Sequence, residues 1–211
     1  MNLKLKKYID QINVWPKTGY HIMAQYDKDK IIVYQSYRAE IGNFATKEQY
    51  FGGEFSLNRM TWIKPNFLWM MFRNGWGTKE GQEVVLAIHL KMDAFKSYLK
   101  NAVYSSFKSE HYDSRESWQE DIRTSDVRLQ WDPDHDPYGN KLERRAIQIG
   151  LRNDFIKSFA KEDILEIEDI SDFVREQYKI VQSQNLDSLL VPEEKPLIFD
   201  DDKLNTYLKL K

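Results

Sequence analysis

The segment from Arg59 to Trp76 combines cationic and aromatic side chains more densely than the rest of the chain. Arg59, Lys64 and Arg73 flank a run of aromatic, aliphatic and sulfur-containing residues that ends at Phe72. Cations beside aromatic rings are typical of a pocket for an anionic ligand that carries a ring, such as a nucleotide. The alternative is a buried helix with a solvated rim of charges, because the apolar residues also repeat at helical spacing.

A second candidate group, Gln35, Tyr37 and Arg38, lies where an apolar run ends and a helical pattern begins. In mixed folds, the end of a strand that leads into a helix often carries groups that contact a ligand. The Arg38 guanidinium is suited to pair with phosphate through two hydrogen bonds. A salt bridge to Glu40 or Glu48 explains this arginine equally well.

Three aspartates, Asp132, Asp134 and Asp136, occupy the spacing of the first ligands of a calcium-binding EF-hand loop, and Glu143 falls at its twelfth position. The sixth position is Pro137, where the sharp turn of that loop requires glycine. A polar hairpin loop therefore explains the three carboxylates best. A cation site of another geometry and a catalytic role for one aspartate stay open.

Composition excludes several classes of protein. The 211 residues carry 31 Lys and Arg against 33 Asp and Glu, so the chain is not a globally basic nucleic-acid-binding protein. The absence of cysteine excludes thiol nucleophiles, disulfides and iron–sulfur clusters, and the four scattered histidines show no paired metal spacing. No apolar run approaches the ~20 residues that cross a bilayer. We expect a cytoplasmic protein that needs neither a metal nor a membrane.

The elements that position these residues follow from hydrophobic periodicity. Lys30 to Tyr37 is apolar on both faces and predicts a central strand. Val127 to Trp131 and Ala146 to Leu151 alternate and predict a long hairpin, in which Gln148 is either a satisfied buried amide or a site residue. The polar stretch from Ser105 to Ser125 predicts a loop or an irregular, solvent-facing insertion.

This order of strands and helices predicts an α+β fold, a strand-rich core with helices inserted between hairpins. Residues 1–186 are expected to form a single domain. Residues 187–211 carry two prolines and three consecutive aspartates, and they predict a docked or mobile C-terminal tail.

Four runs of the sequence resemble the domain of unknown function 4291 family. They are Val33–Arg38, Arg59–Trp76, Val127–Pro133 and Ile147–Leu151, and the second contains the family's hallmark Trp69-Met70-Met71. The resemblance covers about residues 20–175. It implies membership of that family and, as the family name says, no established activity.

A weaker resemblance, in the order of elements, is to the ADP-ribosyltransferase fold. In that fold a strand with a Tyr-His or Arg motif precedes a Ser/Thr strand, an aromatic helix, a Val-Leu strand and a late strand that usually carries Glu. Here the order begins with Tyr34-Gln35, continues with Thr61-Trp62 and reaches Gln148 in the late strand. Gln35 thus stands where the fold commonly has His, and Gln148 or an Ile stands near the position of Glu. The resemblance implies a split, ADP-ribosyltransferase-like core.

The same resemblance implies an enzyme that transfers ADP-ribose from NAD, its co-substrate, to a macromolecular or nucleic-acid acceptor. Arg38 with Arg59 or Lys64 would hold the pyrophosphate, and Tyr37 or Trp62 would stack on the leaving nicotinamide. Thr61 and Gln148 would bond the ribose, and Asp132 would be the nearest substitute for the missing carboxylate. The expected catalytic residues are therefore Gln148, Asp132 and Thr61, and the expected NAD-contacting residues are Gln35, Tyr37, Arg38, Arg59, Trp62 and Lys64.

Two other functions fit the same residues. A nucleotide- or nucleic-acid-binding module would use the aromatic and cationic cleft without chemistry. A metal-dependent phosphoesterase would use Asp132, Asp134 and Asp136 with bound Mg²⁺ or Ca²⁺. A carboxylate that faces the ligand's ribose would favour catalysis, whereas a cleft of cations and rings alone would favour binding. The sequence leaves the oligomeric state open.

Overall fold

The structure, a computed structural model, describes residues 1–210. These residues form two main β-sheets and eight α-helices. Short strand pairs at the termini complete this mixed α+β architecture, which confirms the predicted fold class. The strands are β1 (Leu5–Lys7), β2 (Gly19–Tyr20), β3 (Ile22–Ala24), β4 (Lys30–Tyr37), β5 (Thr61–Ile63), β6 (Val84–Lys91), β7 (Ala102–Tyr104), β8 (Val127–His135), β9 (Lys141–Leu151), β10 (Ile164–Asp169), β11 (Leu190–Pro192) and β12 (Lys195–Leu197). The helices are α1 (Tyr8–Ile12), α2 (Ala39–Glu48), α3 (Phe67–Asn74), α4 (Met92–Lys100), α5 (Arg115–Thr124), α6 (Asn153–Lys161), α7 (Ser171–Gln182) and α8 (Asp202–Leu208).

The first sheet is antiparallel, in the order β10-β6-β4. Strand β6 is central, whereas β4, the strand expected at the centre, has a full ladder on one side only. Both faces of β4 are nevertheless buried, because Ile31 and Val33 pack into one hydrophobic core and Ile32 and Tyr34 into another. The apolar run therefore reports two-sided burial rather than two-sided strand pairing.

The second sheet is built on β9, the longest strand. One edge of β9 pairs antiparallel with β8, and its other edge pairs with β5 and, further along, with β2. The long hairpin predicted around residues 132–145 is thus present, with longer strands. The register places Trp62 opposite Gly150 and Gln130 opposite Gln148, so side chains from three strands share one face.

The two sheets meet at a single bridge between Tyr34 of β4 and Lys64, which follows β5. The Tyr34 backbone N–H donates to the Lys64 carbonyl over 2.7 Å. After Pro65 the chain turns into α3, whose first turn is capped by the Asn66 side chain accepting the Trp69 N–H at 2.6 Å. This junction brings the ends of β4 and β5 and the start of α3 together.

Helix α5 replaces part of the loop expected between Ser105 and Ser125. Ser114 caps it by accepting the Ser117 N–H at 3.0 Å, and no residue of the helix is buried. Its two apolar side chains, Trp118 and Ile122, lie one turn apart and are half-buried. Two apolar positions are too few for periodicity to indicate a helix. The predicted loop is therefore wrong for residues 115–124.

The C-terminal segment is paired with the N-terminal one. Strand β11 pairs with β1, β12 pairs with β3, and α8 buries Leu204 and Leu208 in the larger hydrophobic core. Glu194, between β11 and β12, is also buried, and its carboxylate accepts the Phe67 N–H at 2.6 Å. This side chain therefore holds the C-terminal segment to the N-terminus of α3.

Candidate functional site

A cleft of about 760 Å³ opens beside the junction of the two sheets. It lies between the end of β4, strand β5, α3 and the loops that precede β5 and β6. Seven of the nine site residues expected from the sequence line it: Gln35, Tyr37, Arg38, Arg59, Thr61, Trp62 and Lys64. The remaining two, Gln148 and Asp132, lie on neighbouring strands and not among its lining residues.

A hydrogen-bonded group of three side chains forms the inner wall. The Gln35 amide nitrogen donates to the Thr61 hydroxyl at 2.7 Å and to the Trp62 carbonyl at 3.1 Å. The Tyr37 hydroxyl lies 3.0 Å from the Thr61 hydroxyl. Burial raises the pKa of Tyr37, so this phenol stays protonated at neutral pH. The three groups hold one another in fixed positions.

The oxygen of the Gln35 side-chain amide takes no part in these contacts. A carbonyl can only accept, so the bond to the Trp62 carbonyl assigns the nitrogen of this amide and turns its oxygen elsewhere. That oxygen is buried and has no hydrogen-bond partner within residues 1–210. A buried acceptor without a donor is costly. A ligand hydroxyl or N–H that enters the cleft would satisfy it.

Lys64 is the buried cation of the cleft. Its residue is 7% exposed, and its ammonium contacts the Trp62 carbonyl at 3.3 Å. Within the described chain no carboxylate lies at salt-bridge distance from it. Burial, with repulsion from Arg73, lowers the pKa of Lys64 to about 8, against some opposition from Asp132.

The other cations differ in whether they are already paired. Arg38 forms ion pairs with Glu40 and Glu54, and Glu54 is the one carboxylate among the residues that line the cleft. The expected salt bridge to Glu40 is thus present, whereas Glu48 is paired with Lys47 instead. Across the described residues, the lining cations without an ion pair are Arg59, Lys64, Arg73 and Lys79.

Aromatic rings close two sides of the cleft. Tyr37 packs edge-on against Phe51 and Phe55, with ring centroids 5.5 and 5.9 Å apart. Trp62 lies over Gly150 of β9, where an added Cβ would come within 3.1 Å of the indole. Glycine at this position therefore lets the Trp62 ring lie close to the strand. The indole is half-buried and forms part of the cleft wall.

The two expected catalytic residues outside the cleft bind each other. The Gln148 amide nitrogen donates to one Asp132 oxygen at 2.8 Å, and the Gln130 amide nitrogen donates to the other at 2.9 Å. Gln148 lies two residues from Gly150 and so shares a sheet face with Trp62. Asp132 is thus a half-buried carboxylate, fixed by two amides, on the face that adjoins the cleft.

The three aspartates for which the sequence favoured a hairpin loop and left a cation site open engage different partners. Asp134 is fully buried and accepts from Arg144 at 2.8 Å, while Asp136 accepts the N–H groups of Tyr138 and Asn140 in its own turn. Asp132 and Asp134 lie in strand β8, so the predicted polar hairpin loop is correct for Asp136 alone.

A different triplet, His89, Glu166 and Glu168, comes together through the pairing of β6 with β10, a pairing that no local sequence signal marks. The Lys30 ammonium lies 3.2 Å from Nδ1 of His89, so that nitrogen accepts and the proton is on Nε2. Nε2 in turn lies 2.8 Å from a Glu168 oxygen. Glu166 instead accepts from the Asn2 amide at 2.6 Å. Both histidine nitrogens therefore have partners, Lys30 and Glu168, and Glu166 is a neighbouring carboxylate outside this chain of hydrogen bonds.

Several lining residues were not among those expected from the sequence. Glu54 and Ser56 precede β5, and Lys79 and Gln82 precede β6. They belong to loops without periodicity or a recognisable motif, so only the folded structure brings them to the cleft.

The fold and the cleft define an α+β protein with a cationic, partly aromatic cleft. The profile of the family described as Domain of unknown function (DUF4291) matches residues 21–197, and the chain belongs to this family. No curated protein matches the chain. Within residues 1–210, no helix is long and apolar enough to cross a membrane.

Proposed function

We propose that the cleft binds a phosphorylated nucleotide, with NAD as the expected ligand, and that the protein transfers the ADP-ribosyl group of NAD to an acceptor. The observation that carries this proposal is the gathering of the seven lining residues anticipated from the sequence in one cleft. There the cations outnumber the carboxylate, and the Gln35 oxygen lacks a donor.

The position of the cleft supports the proposal. In the ADP-ribosyltransferase-like reading, the first strand, the Ser/Thr strand and the late strand are β4, β5 and β9. These three strands are consecutive around the junction of the two sheets, because β4 bridges to Lys64 and β5 pairs with β9. Gln35, Thr61 and Gln148 therefore come from three neighbouring strands, as a split core requires. This support is an analogy of fold.

The proposed roles follow from the contacts. Arg59 and Arg38 at the rim bind phosphate, and Trp62 or Tyr37 stacks on the nicotinamide. The Thr61 hydroxyl and the Gln35 oxygen bond ribose hydroxyls. In the reaction the bond between C1′ of the ribose and the nicotinamide nitrogen breaks, and nicotinamide leaves with the electron pair. A lone pair of the acceptor forms the new bond to C1′, and the acceptor's proton passes to solvent.

Asp132 is the nearest carboxylate on the adjoining face and would stabilise positive charge that develops at the ribose. Its two amide partners, Gln130 and Gln148, keep its position fixed.

The second candidate is a nucleotide- or nucleic-acid-binding module without catalysis. One observation favours it: the carboxylate among the cleft-lining residues, Glu54, is exposed and paired with Arg38, and Asp132 is held by amides on the adjoining face. A wall of cations and rings alone is sufficient for stacking and phosphate contact.

A thermal-shift titration separates these candidates. NAD, ADP-ribose, ATP and a short RNA are added separately, and a ligand at a hundredfold excess over its Kd stabilises the folded state by ~2.7 kcal/mol. We expect stabilisation by NAD and ADP-ribose, followed by release of nicotinamide from NAD in the presence of acceptor. Stabilisation by RNA alone would support the second candidate, and no stabilisation by any nucleotide would refute both.

A matched pair of variants locates the binding. Thr61→Val removes one hydroxyl from the inner wall, and we expect it to weaken NAD binding about tenfold, a loss typical of one buried hydrogen bond. Thr124→Val removes an exposed hydroxyl that bonds only its own helix, and it should leave binding unchanged. Equal effects of the two substitutions would place the ligand elsewhere.

A further inference from the structure

Lys64 combines three features that an ordinary structural lysine lacks. It is buried, it lines the cleft, and its ammonium has one contact, a 3.3 Å approach to a carbonyl. Buried ammonium groups are normally paired with a carboxylate, because removing a charge from water without compensation is costly. Its backbone is fixed at the junction of the sheets, so the side chain cannot easily withdraw into solvent.

The surroundings of the amine favour its neutral form. Burial, and to a smaller extent repulsion from Arg73, lowers the pKa of Lys64 to about 8, against an opposing attraction from Asp132. At pH 7.5 roughly a quarter of the amine is then neutral, against ~0.1% for an ordinary lysine. A neutral, desolvated amine is a nucleophile toward carbonyl carbon.

The unpartnered Gln35 oxygen is an independent sign of a ligand in the same place. Its amide nitrogen and the Lys64 ammonium both contact the Trp62 carbonyl, so the two side chains are neighbours. A sugar that donates a hydroxyl to the Gln35 oxygen would therefore lie beside the amine. Arg59 and Arg73 at the cleft supply positive charge for phosphate.

We propose that Lys64 forms an imine with the C1 aldehyde of a phosphorylated ribose bound in the cleft, with ring-opened ADP-ribose as the representative ligand. This inference rests on the nucleotide binding proposed above and adds a covalent step to it. The nitrogen lone pair attacks C1 and forms a C–N bond, and the carbonyl oxygen takes up a proton. Loss of water then gives the imine, with both hydrogens of that water coming from the amine. Addition of water reverses the step.

Reductive trapping tests the proposal. The full chain is incubated with ADP-ribose and cyanoborohydride at pH 7.5, and the adduct is located by peptide mass spectrometry. Because the neutral fraction differs by roughly two orders of magnitude, we expect at least about tenfold more adduct at Lys64 than at any other lysine. ADP-ribose binding is measured in parallel by thermal shift.

Two variants control the experiment. Lys64→Arg keeps a cation but removes the nucleophile, so the adduct should disappear while ADP-ribose still raises the Tm. Lys157→Arg changes an exposed lysine of α6 that is paired with Asp154, and the Lys64 adduct should persist. If Lys64→Arg also fails to bind ADP-ribose, the imine is tested by whether the adduct in the unaltered protein lies at Lys64.

The outcomes separate this inference from the proposed function. Binding of ADP-ribose with no adduct at Lys64, or with adducts spread over the exposed lysines, overturns the imine and leaves nucleotide binding intact. Failure of ADP-ribose to bind overturns both.

Discussion

Two buried cations, Arg144 and Lys64, have almost the same exposure and opposite surroundings. Arg144, on β9, is 3% exposed, donates to Asp134 at 2.8 Å and to the Pro16 carbonyl at 2.8 Å, and lies over the Trp15 ring. Lys64 is 7% exposed and has one long contact to a carbonyl.

The fold supplies partners for Arg144, whereas under the function proposed above the partner of Lys64 is a bound ligand. Arg144 connects the hairpin to the chain before β2, and every contact is made within the protein. The charge of Lys64 is not compensated by the chain, and the adjoining Gln35 oxygen also lacks a partner. Unsatisfied groups that cluster at one cleft are typical of functional sites, where stability is sacrificed for binding.

The largest expected effect is on the paired cation. Arg144→Met leaves the Asp134 carboxylate buried without its counter-charge, and breaking a buried pair in this way costs about 3–5 kcal/mol. We therefore expect the free energy of unfolding, measured by urea denaturation at pH 7, to fall by that amount. Ligand binding at the cleft should survive wherever the variant is folded.

A double variant shows whether the loss comes from the uncompensated charge. Asp134→Leu combined with Arg144→Met removes both charges, and such replacements are often neutral or stabilising. Most of the lost stability should return. A double variant as unstable as Arg144→Met alone would mean that the packing of the arginine stem, and not its pairing, holds this region.

Sequence reasoning anticipated seven of the residues that line the cleft, and it predicted less of the fold around them. The aromatic helix α3 and the β8–β9 hairpin follow from periodicity, because both bury a continuous apolar pattern. Helix α5 could not be predicted because only Trp118 and Ile122 give it an apolar pattern, and the edge position of β4 could not because two cores cover that strand.

The partners of the charged side chains could not be predicted from the sequence. Asp132 and Asp134 are two residues apart in the sequence and have different partners. Asp132 accepts hydrogen bonds from amides, whereas Asp134 pairs with an arginine ten residues away. Those partners are set by the register between β8 and β9, including the irregularity between Pro133 and His135. The lack of a partner for Lys64 is likewise a property of the folded chain.

For Lys64, the unpaired cation, we predict a smaller change in the free energy of unfolding, of the opposite sign. Lys64→Met replaces an uncompensated buried charge by an apolar side chain of similar length. With a pKa of about 8 in the folded protein and about 10.4 in the unfolded chain, the cost of burial is fully present below pH 8. We expect the variant to be more stable than the natural sequence by about 1–3 kcal/mol at pH 7.

The pH dependence checks the sign. Between about pH 8 and 10.4 the unfolded chain holds more protons than the folded one, so the stability of the natural sequence rises with pH. The advantage of Lys64→Met should therefore shrink over that range and be almost absent near pH 10.5. Urea denaturation at pH 7, 9 and 10.5 measures it. Destabilisation by Lys64→Met at pH 7 would show that Lys64 is a structural residue and would remove the contrast with Arg144.

The smallest expected effect is a difference in nucleotide affinity between substitutions of a paired and an unpaired arginine at the exposed rim of the cleft. Arg38 is paired with Glu40 and Glu54, whereas Arg59 has no ion pair within residues 1–210. Part of the attraction of Arg38 for an anion is already cancelled by these carboxylates, so Arg59→Ala should weaken nucleotide binding more. We expect a loss of about three- to fivefold for Arg59→Ala and about twofold or less for Arg38→Ala, since exposed charges contribute up to about 1 kcal/mol each.

Salt identifies the cause of that loss. Exposed charges are screened over ~10 Å at 0.1 M ionic strength and over ~3 Å at 1 M, so the difference between the two variants should be largest at low salt and nearly vanish at 1 M. Both should keep the free energy of unfolding within about 0.5 kcal/mol of the natural sequence, because neither side chain is buried. If Arg38→Ala costs more affinity than Arg59→Ala, the ligand displaces Glu54 from Arg38. Phosphate of the ligand would then replace Glu54 as the partner of Arg38. In that case Arg38, unlike Arg144, would be paired within the protein only in the absence of ligand.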